Sequence, residues 1–357
     1  MRIITTVTTW RLSGVNTFNI NLVREIRKRG LDAEILVTDP HAPVPAPLPK
    51  PKDVPVHALW PGGETAKQDR KDALIGYIRS QAPCIILAND ITLSAADRER
   101  LGASVHLIGI IHNDTEADIR FAQALARSAD AIVAVSDHIV ACIAKKDPNL
   151  ASRIMAIPHG VPLPDVRPRK SWDGPLHVVY AGRLAQEQKR VLDVVAAVTA
   201  AHGMGADIQL TVAGAGTQRG IMEALARSAL PPERTEFVGA LSPEAVSDLF
   251  ARAHVNLLTC DYEGFGLSLL EGMAQGCVPV VSHIDAGYRT FVRAEETGLL
   301  VSPGDVRGFG AALYRLDKNR SMLKAISGRC IDAAQSYSTA GMCDAYIALF
   351  KRLGAPF

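Results

Sequence analysis

The chain alternates short, almost unbroken apolar runs with longer segments in which apolar residues recur every three or four positions. Residues 3–7, 33–37, 84–88, 105–111 and 131–135 are runs of the first kind, and 176–181, 208–213, 235–238, 255–258, 278–281 and 298–301 continue the series. A strand that is apolar on both faces belongs in a parallel sheet covered by helices on each side. Between the first two runs, Val15, Phe18, Leu22, Val23 and Ile26 follow Ser13-Gly14 at helical spacing and stop at Gly30, so the chain opens as a βαβ unit. The same patterning predicts helices over 116–128, 191–201 and 306–316, and a last helix over 342–352. Proline density removes regular structure from residues 40–55, read as a surface excursion, and from 162–175, where proline and charge without periodicity mark a linker. The expectation is an α/β chain of two Rossmann-like, doubly wound parallel-sheet domains, 1–162 and 176–335, joined by a linker at 163–175 and ending in a helical segment at 336–357.

Composition narrows the class. A chain of 357 residues can give each of two domains its own core. Hydrophobic content of 48% with 21% charged residues describes a soluble globular protein, and a net charge of +2 argues against a dedicated nucleic-acid binder. No apolar run approaches the roughly 18 residues that span a bilayer, and MRIITTVTTW lacks the basic-then-apolar order of a signal peptide, so a cytoplasmic location is expected. The six cysteines are scattered without C-x-x-C pairing and read as reduced core thiols. Arg24, Arg27, Lys28 and Arg29 form a basic run broken by Glu25, which reads better as a solvated helix face than as a lipid-binding patch and leaves peripheral contact with the inner membrane face open.

The candidate chemistry centres on residues 261–282, DYEGFGLSLLEGMAQGCVPVVS. Glu263 and Glu271 stand seven residues apart, with a glycine loop at 264–266, a short apolar helix after it, and a buried strand beyond Gly276. Backbone N–H groups at Phe265, Gly266 and Leu267, at a helix start, would form a seat for phosphate. Glu263 on the loop side and Glu271 one turn into the helix can each accept hydrogen bonds from hydroxyls flanking a bound diphosphate. Ordinary acidic residues at a helix start are the plainer alternative. Arg183 and Lys189 follow the first strand of the second domain, where two cations can reach one diphosphate, although solvated surface cations would look the same. Gly214-Ala215-Gly216 with Gly220 misses the dinucleotide spacing and is read as a loop lining the nucleotide pocket. Gly14 and His112 each end a strand on the ligand-binding edge of the first sheet, positions that are more often structural than functional. Asp114-Thr115-Glu116 reads as a helix cap, and no metal is assigned.

E-G-F-G-L-x-x-x-E followed by G-x-P-V-V resembles the E-x7-E signature of the retaining glycosyltransferases of family 4, which have the GT-B architecture of two facing Rossmann-like domains. G-R-L-x(4)-K at 182–189 and I-P-H-G-V at 157–161 extend the resemblance, with Arg190 standing where the family has glycine and His159 where it has asparagine. The resemblance implies that Glu271 holds ribose hydroxyls, Glu263 holds those of the donor sugar, and Arg183 and Lys189 bind the diphosphate. It further implies that His112 faces the donor sugar, the Gly14 loop lies against the phosphate or the acceptor, backbone near Val238 meets the base, and the last helix returns to the first domain. The implied activity is metal-independent, retaining transfer of a sugar from a nucleoside-diphosphate sugar, with no cofactor beyond that co-substrate, to a glycan, glycolipid or small-molecule hydroxyl. A nucleotide-sugar epimerase of the same architecture, and a nucleotide-sugar-binding protein without transfer, are the alternatives. Donor base, sugar, acceptor and oligomeric state are open at this level.

Overall fold

The structure is a computed structural model describing residues 1–39, 48–59, 67–91 and 93–355, without the side chains of Lys67 and Gln68. The excursion expected at 40–55 falls outside the described residues over 40–47. The chain divides into two compact units, one of residues 1–160 with 339–357 and one of residues 161–338.

The first unit runs β1 Arg2–Val7, α1 Gly14–Lys28, β2 Ala33–Val37, β3 Val56–Ala58, α2 Lys67–Ser80, β4 Cys84–Ala88 and α3 Ala95–Leu101. It continues with β5 Val105–Ile111, α4 Glu116–Leu125, β6 Ala131–Ala134, α5 Asp137–Lys146 and β7 Ile154–Ala156. Its seven strands lie in the order β3-β2-β1-β4-β5-β6-β7, all pairs parallel. The order reverses between β1 and β4, and it is outside the carboxyl ends of the strands at such a reversal that open α/β sheets bind their ligands. Every residue of β2 and β4 is buried, which is why both read as unbroken apolar runs. Side-chain caps start the helices: Ser13, Thr115 and Ser136 each accept the backbone N–H three residues on, at 3.2–3.3 Å.

The second unit contains β8 Leu176–Ala181, α6 Gln186–Lys189, α7 Val191–Gly203, β9 Ile208–Ala213, α8 Arg219–Ala229, β10 Thr235–Gly239 and α9 Pro243–Arg252. After these come β11 Val255–Leu258, α10 Leu267–Ala274, β12 Val278–Ser282, β13 Leu299–Val301, α11 Val306–Lys318 and α12 Arg320–Ala334. Six parallel strands lie in the order β10-β9-β8-β11-β12-β13, again reversing beside the unit's first strand. The last helix, α13 Thr339–Arg352, belongs to the first unit, where Arg29 bonds Asp344 at 2.9 Å and the Ala340 carbonyl at 3.0 Å.

Residues 163–175, expected as a linker, contain no helix or strand but are fastened to the second unit. The Lys170 ammonium is largely buried and donates to the carbonyls of Phe250 (2.7 Å), Ala251 (3.2 Å) and Ala253, closing the C-terminal end of α9. Trp172 stacks on His254 at 5.5 Å, and Arg167 pairs with Asp332 at 2.8 Å. The basic run of α1 is similarly occupied: Arg24 pairs with Asp53, Arg27 with Asp32, Lys28 with Glu25, and Arg29 with Glu25 and Asp344. Five of the six cysteines are buried and Cys142 is half-buried. Among the described residues no helix is long and apolar enough to cross a membrane.

Candidate active site

On the second unit the predicted residues converge at the carboxyl ends of β8, β9 and β11. The chain leaves β8 through Gly182-Arg183, and the buried Tyr180 holds this turn by donating its hydroxyl to the Arg183 carbonyl at 2.7 Å. The Arg183 side chain is exposed, with one nitrogen donating to Gln188 Oε1 at 2.5 Å. Lys189, the last residue of α6, donates to Glu263 Oε2 at 2.5 Å, both side chains being about 15% exposed. Burial by itself would lower the pKa of this ammonium, but the neighbouring Glu263 outweighs it and Lys189 ends above its ordinary value. The ammonium keeps its charge in a partly dry setting, with Arg183 near enough to act on it.

Arg190 stands at φ +45°, in the left-handed region that favours glycine, which explains why glycine is the family's choice there. Three contacts hold it in place: an ion pair with Asp193 at 2.7 Å, another with Asp261 at 3.4 Å, and the Thr259 hydroxyl on its carbonyl at 3.0 Å. The loop at 214–216 has a different origin from a phosphate-binding fingerprint. A Cβ on Gly214 would lie 1.8 Å from the Gly182 carbonyl oxygen, and Gly214 donates its N–H to Gly239 at 2.7 Å. Gly214 therefore lets the turn carrying Arg183 pack against the neighbouring loop. Val238 lies on the edge strand β10, where the ladder with β9 passes from Phe237 to Gly239 and skips it.

Helix α10 starts with Gly266 at φ +83° and no side-chain cap, in contrast to α1, α4, α5 and α9. The backbone N–H groups of Gly266, Leu267 and Ser268 have no hydrogen-bond partner among the described residues. Gly266 and Leu267 are two of the three donors expected there, with Ser268 beside them, while the Phe265 side chain is buried with its ring 5.3 Å from that of Phe291. Glu271, one turn in, is half-buried, and no hydrogen bond joins its carboxyl to any other described residue. Burial pushes its pKa up from 4.5 to about 7. A recess of about 340 Å³ on this unit, lined by Phe291, Arg293, Arg329 and Tyr337, contains none of the predicted residues.

Gly14 and His112 stand on the first unit. Gly14 is the exposed first residue of α1, with open space where a Cβ would be. His112 follows β5 and is 9% exposed; Nε2 lies 2.7 Å from Asn89 Oδ1, and burial lowers the imidazole to a pKa of about 3. His159, from the I-P-H-G-V element, stacks on it at 5.4 Å. Thr115, and not Asp114, caps α4; Asp114 bonds His138 at 2.9 Å, and Cys142 lies 3.6 Å from the same nitrogen. These three are the described residues able to hold a metal ion, and the Asp114–His138 bond gives them a use without one. Asn89, Gln188, Thr259 and Asp261, which support the site, were not singled out from the sequence. Gln188 sits inside the G-R-L-x(4)-K motif and Asp261 opens the 261–282 stretch, but neither carries a role that the sequence alone assigns.

Residues 12–164 match the family described as Glycosyltransferase Family 4, and residues 165–331 match Glycosyl transferases group 1. A glycogen synthase of Mycobacterium tuberculosis is 32% identical over 260 residues, 67% of this chain and 61% of that protein, so the chain spans less than two thirds of this relative's length. A GDP-mannose-dependent alpha-(1-6)-phosphatidylinositol dimannoside mannosyltransferase of the same organism is 33% identical over 183 residues, 47% of this chain and 46% of that one. Among solved structures, the pneumococcal O-GlcNAc transferase GtfA in complex with UDP and GlcNAc superposes with a TM-score of 0.81 at 13% identity, over 100% of this chain and 99% of that one. Anabaena HepE in complex with UDP and glucose gives 0.76 at 14% identity, over 99% and 100%. Two parallel-sheet units, matched over residues 12–331 by two family descriptions and over 99% or more of the chain by GT-B neighbours, place the chain in the family 4-like glycosyltransferases with the GT-B fold.

Proposed function

We propose that this chain is a retaining, metal-independent glycosyltransferase that moves a sugar from a nucleoside-diphosphate sugar to a hydroxyl of a glycan, glycolipid or small molecule. The observation that carries the reading is the convergence on one unit of Arg183, the Lys189–Glu263 pair and an uncapped helix start ahead of the unpartnered Glu271. As the bond from the anomeric carbon to the diphosphate breaks, negative charge grows on the departing phosphate oxygen. Arg183, Lys189 and the N–H groups at 266–268 are already aimed donors, and donors that need not reorganise lower the barrier most. They supply in protein groups the positive charge that a metal ion would otherwise bring. Glu263 accepts hydroxyls of the donor sugar and Glu271 those of the ribose. The acceptor oxygen attacks the anomeric carbon on the face the diphosphate leaves. Its proton passes to the departing phosphate oxygen, so no protein nucleophile is required.

The test is calorimetric titration of the purified chain with UDP, GDP and ADP in the presence of a chelator, followed by product analysis with the matching nucleotide sugars. Selective binding of one nucleotide, and a product that keeps the donor's anomeric configuration, are expected. A metal requirement or an inverted anomer would overturn the mechanism; a rearranged nucleotide sugar formed from donor alone would make the protein an epimerase, and binding without turnover a binding protein.

A further inference from the structure

At the carboxyl ends of β1, β4 and β5, beside the point where strand order reverses, the first unit buries a polar network. Asn89, 6% exposed, sets the two hydrogens of Nδ2 among four acceptors, the carbonyl of Thr6 at 2.8 Å, Thr5 Oγ1 at 2.9 Å, Asn19 Oδ1 at 3.2 Å and the carbonyl of Leu87 at 3.4 Å. The Thr5 hydroxyl donates in turn to Asn19 Oδ1. Two of the four acceptors are backbone carbonyls, which cannot donate, so the amide nitrogen must face them. A flipped amide would set its oxygen against both. The amide oxygen therefore faces His112 Nε2 at 2.7 Å, and Nε2 must carry the proton. An imidazole with a single proton then presents a bare lone pair at Nδ1, which is buried with no hydrogen-bond partner among the described residues. An unfilled acceptor in a buried setting is costly, and at a ligand-binding edge it marks the place of a ligand's donor group.

We propose that Asn89 is a positioning residue: it fixes His112 as the Nε2–H tautomer, so that Nδ1 accepts a hydrogen bond from a hydroxyl of the bound sugar and turns away carboxylate and phosphate oxygens, which have no proton to give. The proposal rests on the transferase reading for the identity of the ligand, and on the buried network alone for the tautomer. Burial keeps the ring neutral, and Phe18, edge-on at 5.4 Å, with His159 stacked at the same distance, holds its plane.

The experiment is long-range proton–nitrogen NMR of the full chain labelled at histidine imidazoles, with the His112 signals assigned by their loss in His112→Gln. A protonated Nε2 and a bare Nδ1 at neutral pH are expected; an Nδ1–H tautomer or an imidazolium would overturn the proposal, whether or not the chain transfers any sugar. Asn89→Ala should give a mixture of tautomers, and a single unchanged tautomer in a folded variant counts against the lock. Should that variant fail to fold, the wild-type tautomer decides alone. UDP-glucose and GDP-mannose are the ligand probes. Whichever binds should move the Nδ1 resonance while its nucleoside diphosphate alone does not, and equal shifts from both would refute the hydroxyl contact. Where transfer is measurable, Asn89→Ala should raise the KM for the nucleotide sugar about tenfold, the worth of one oriented hydrogen bond already made in the bound complex, with little change in kcat.

Discussion

Glu271 provides a quantitative test, because a carboxyl with no partner near the start of α10 is waiting for donors. Its pKa of about 7 against 4.5 is a penalty of about 3 kcal/mol on the charged form, at about 1.4 kcal/mol per unit. The sign follows from the proton count. Between pH 4.5 and 7 the folded protein holds a proton on Glu271 that the unfolded chain has lost, so stability falls as pH rises through this window. Bound ribose hydroxyls would donate to the carboxylate and favour its charged form. If they restore the ordinary value of 4.5, linkage makes nucleotide-sugar affinity on the order of 50-fold higher at pH 8 than at pH 5. Nucleotide sugars suit this measurement because both phosphates are esterified, so the ligand lacks the phosphate ionisation near pH 6. Calorimetry in buffers of different ionisation enthalpy counts the proton released, which should come close to one near pH 6 and fall again toward pH 4.5. Glu271→Gln should abolish the release and weaken binding at pH 8, while raising the urea midpoint of the free protein there. Flat affinity across this range, or the same proton release in Glu271→Gln, would refute the reasoning.

Four further outcomes follow. Arg183→Ala, on an exposed side chain, should leave the unfolding midpoint in place and weaken both nucleotide affinity and turnover about 10- to 100-fold. Glu263→Ala should cut turnover far more than nucleotide affinity, and unchanged steady-state kinetics in both variants would dismantle the site. Gly214→Ala sets a Cβ 1.8 Å from the Gly182 carbonyl oxygen, so backbone must move; a loss of about 3 kcal/mol in urea unfolding is expected, with weaker nucleotide binding, and a change below about 1 kcal/mol would show that the two loops are not held together. Lys170→Met leaves the carbonyls of Phe250, Ala251 and Ala253 without their common donor and should cost about 2–4 kcal/mol, whereas a truly loose linker would give no change.

Much of the fold was legible because its strands are buried on both faces and so read as apolar runs of strand length, 84–88 and 278–281 most clearly. The failures have separate causes. Residues 163–175 look featureless because the contact that fixes them, Lys170 on the end of α9, joins residues some eighty positions apart and leaves no periodicity. β3 escaped notice because it is only three residues long, half-buried and polar at its centre. In the site, Arg183, Lys189, Glu263 and Glu271 stood out by residue type and spacing, whereas the groups that orient them did not. Asn89 is an ordinary asparagine after an apolar strand until the fold brings Thr5, Thr6, Asn19 and His112 around it.

The departure at Arg190 shows how far two sequence motifs act as one physical unit. A left-handed non-glycine residue costs about 1 kcal/mol, and an isolated exchange of glycine for arginine would loosen Lys189 beside it. The contacts that hold Arg190 come from the stretch that leads into Glu263: Thr259 on the carbonyls of Lys189 and Arg190 at 3.1 and 3.0 Å, and Asp261 on the guanidinium. The same two segments are joined by Asp261 N–H to the Gln188 carbonyl at 2.9 Å, by Gln188 Nε2 to the Tyr262 carbonyl at 3.3 Å, and by Lys189 to Glu263. Arg190 therefore adds side-chain ties to a seam already laced by backbone. Because Gln188 also receives Arg183, a disturbance on either strand end reaches both cations and the carboxylate together. Substitutions in this seam should couple, so that Arg183→Ala combined with Asp261→Ala departs from the sum of the single effects in nucleotide binding.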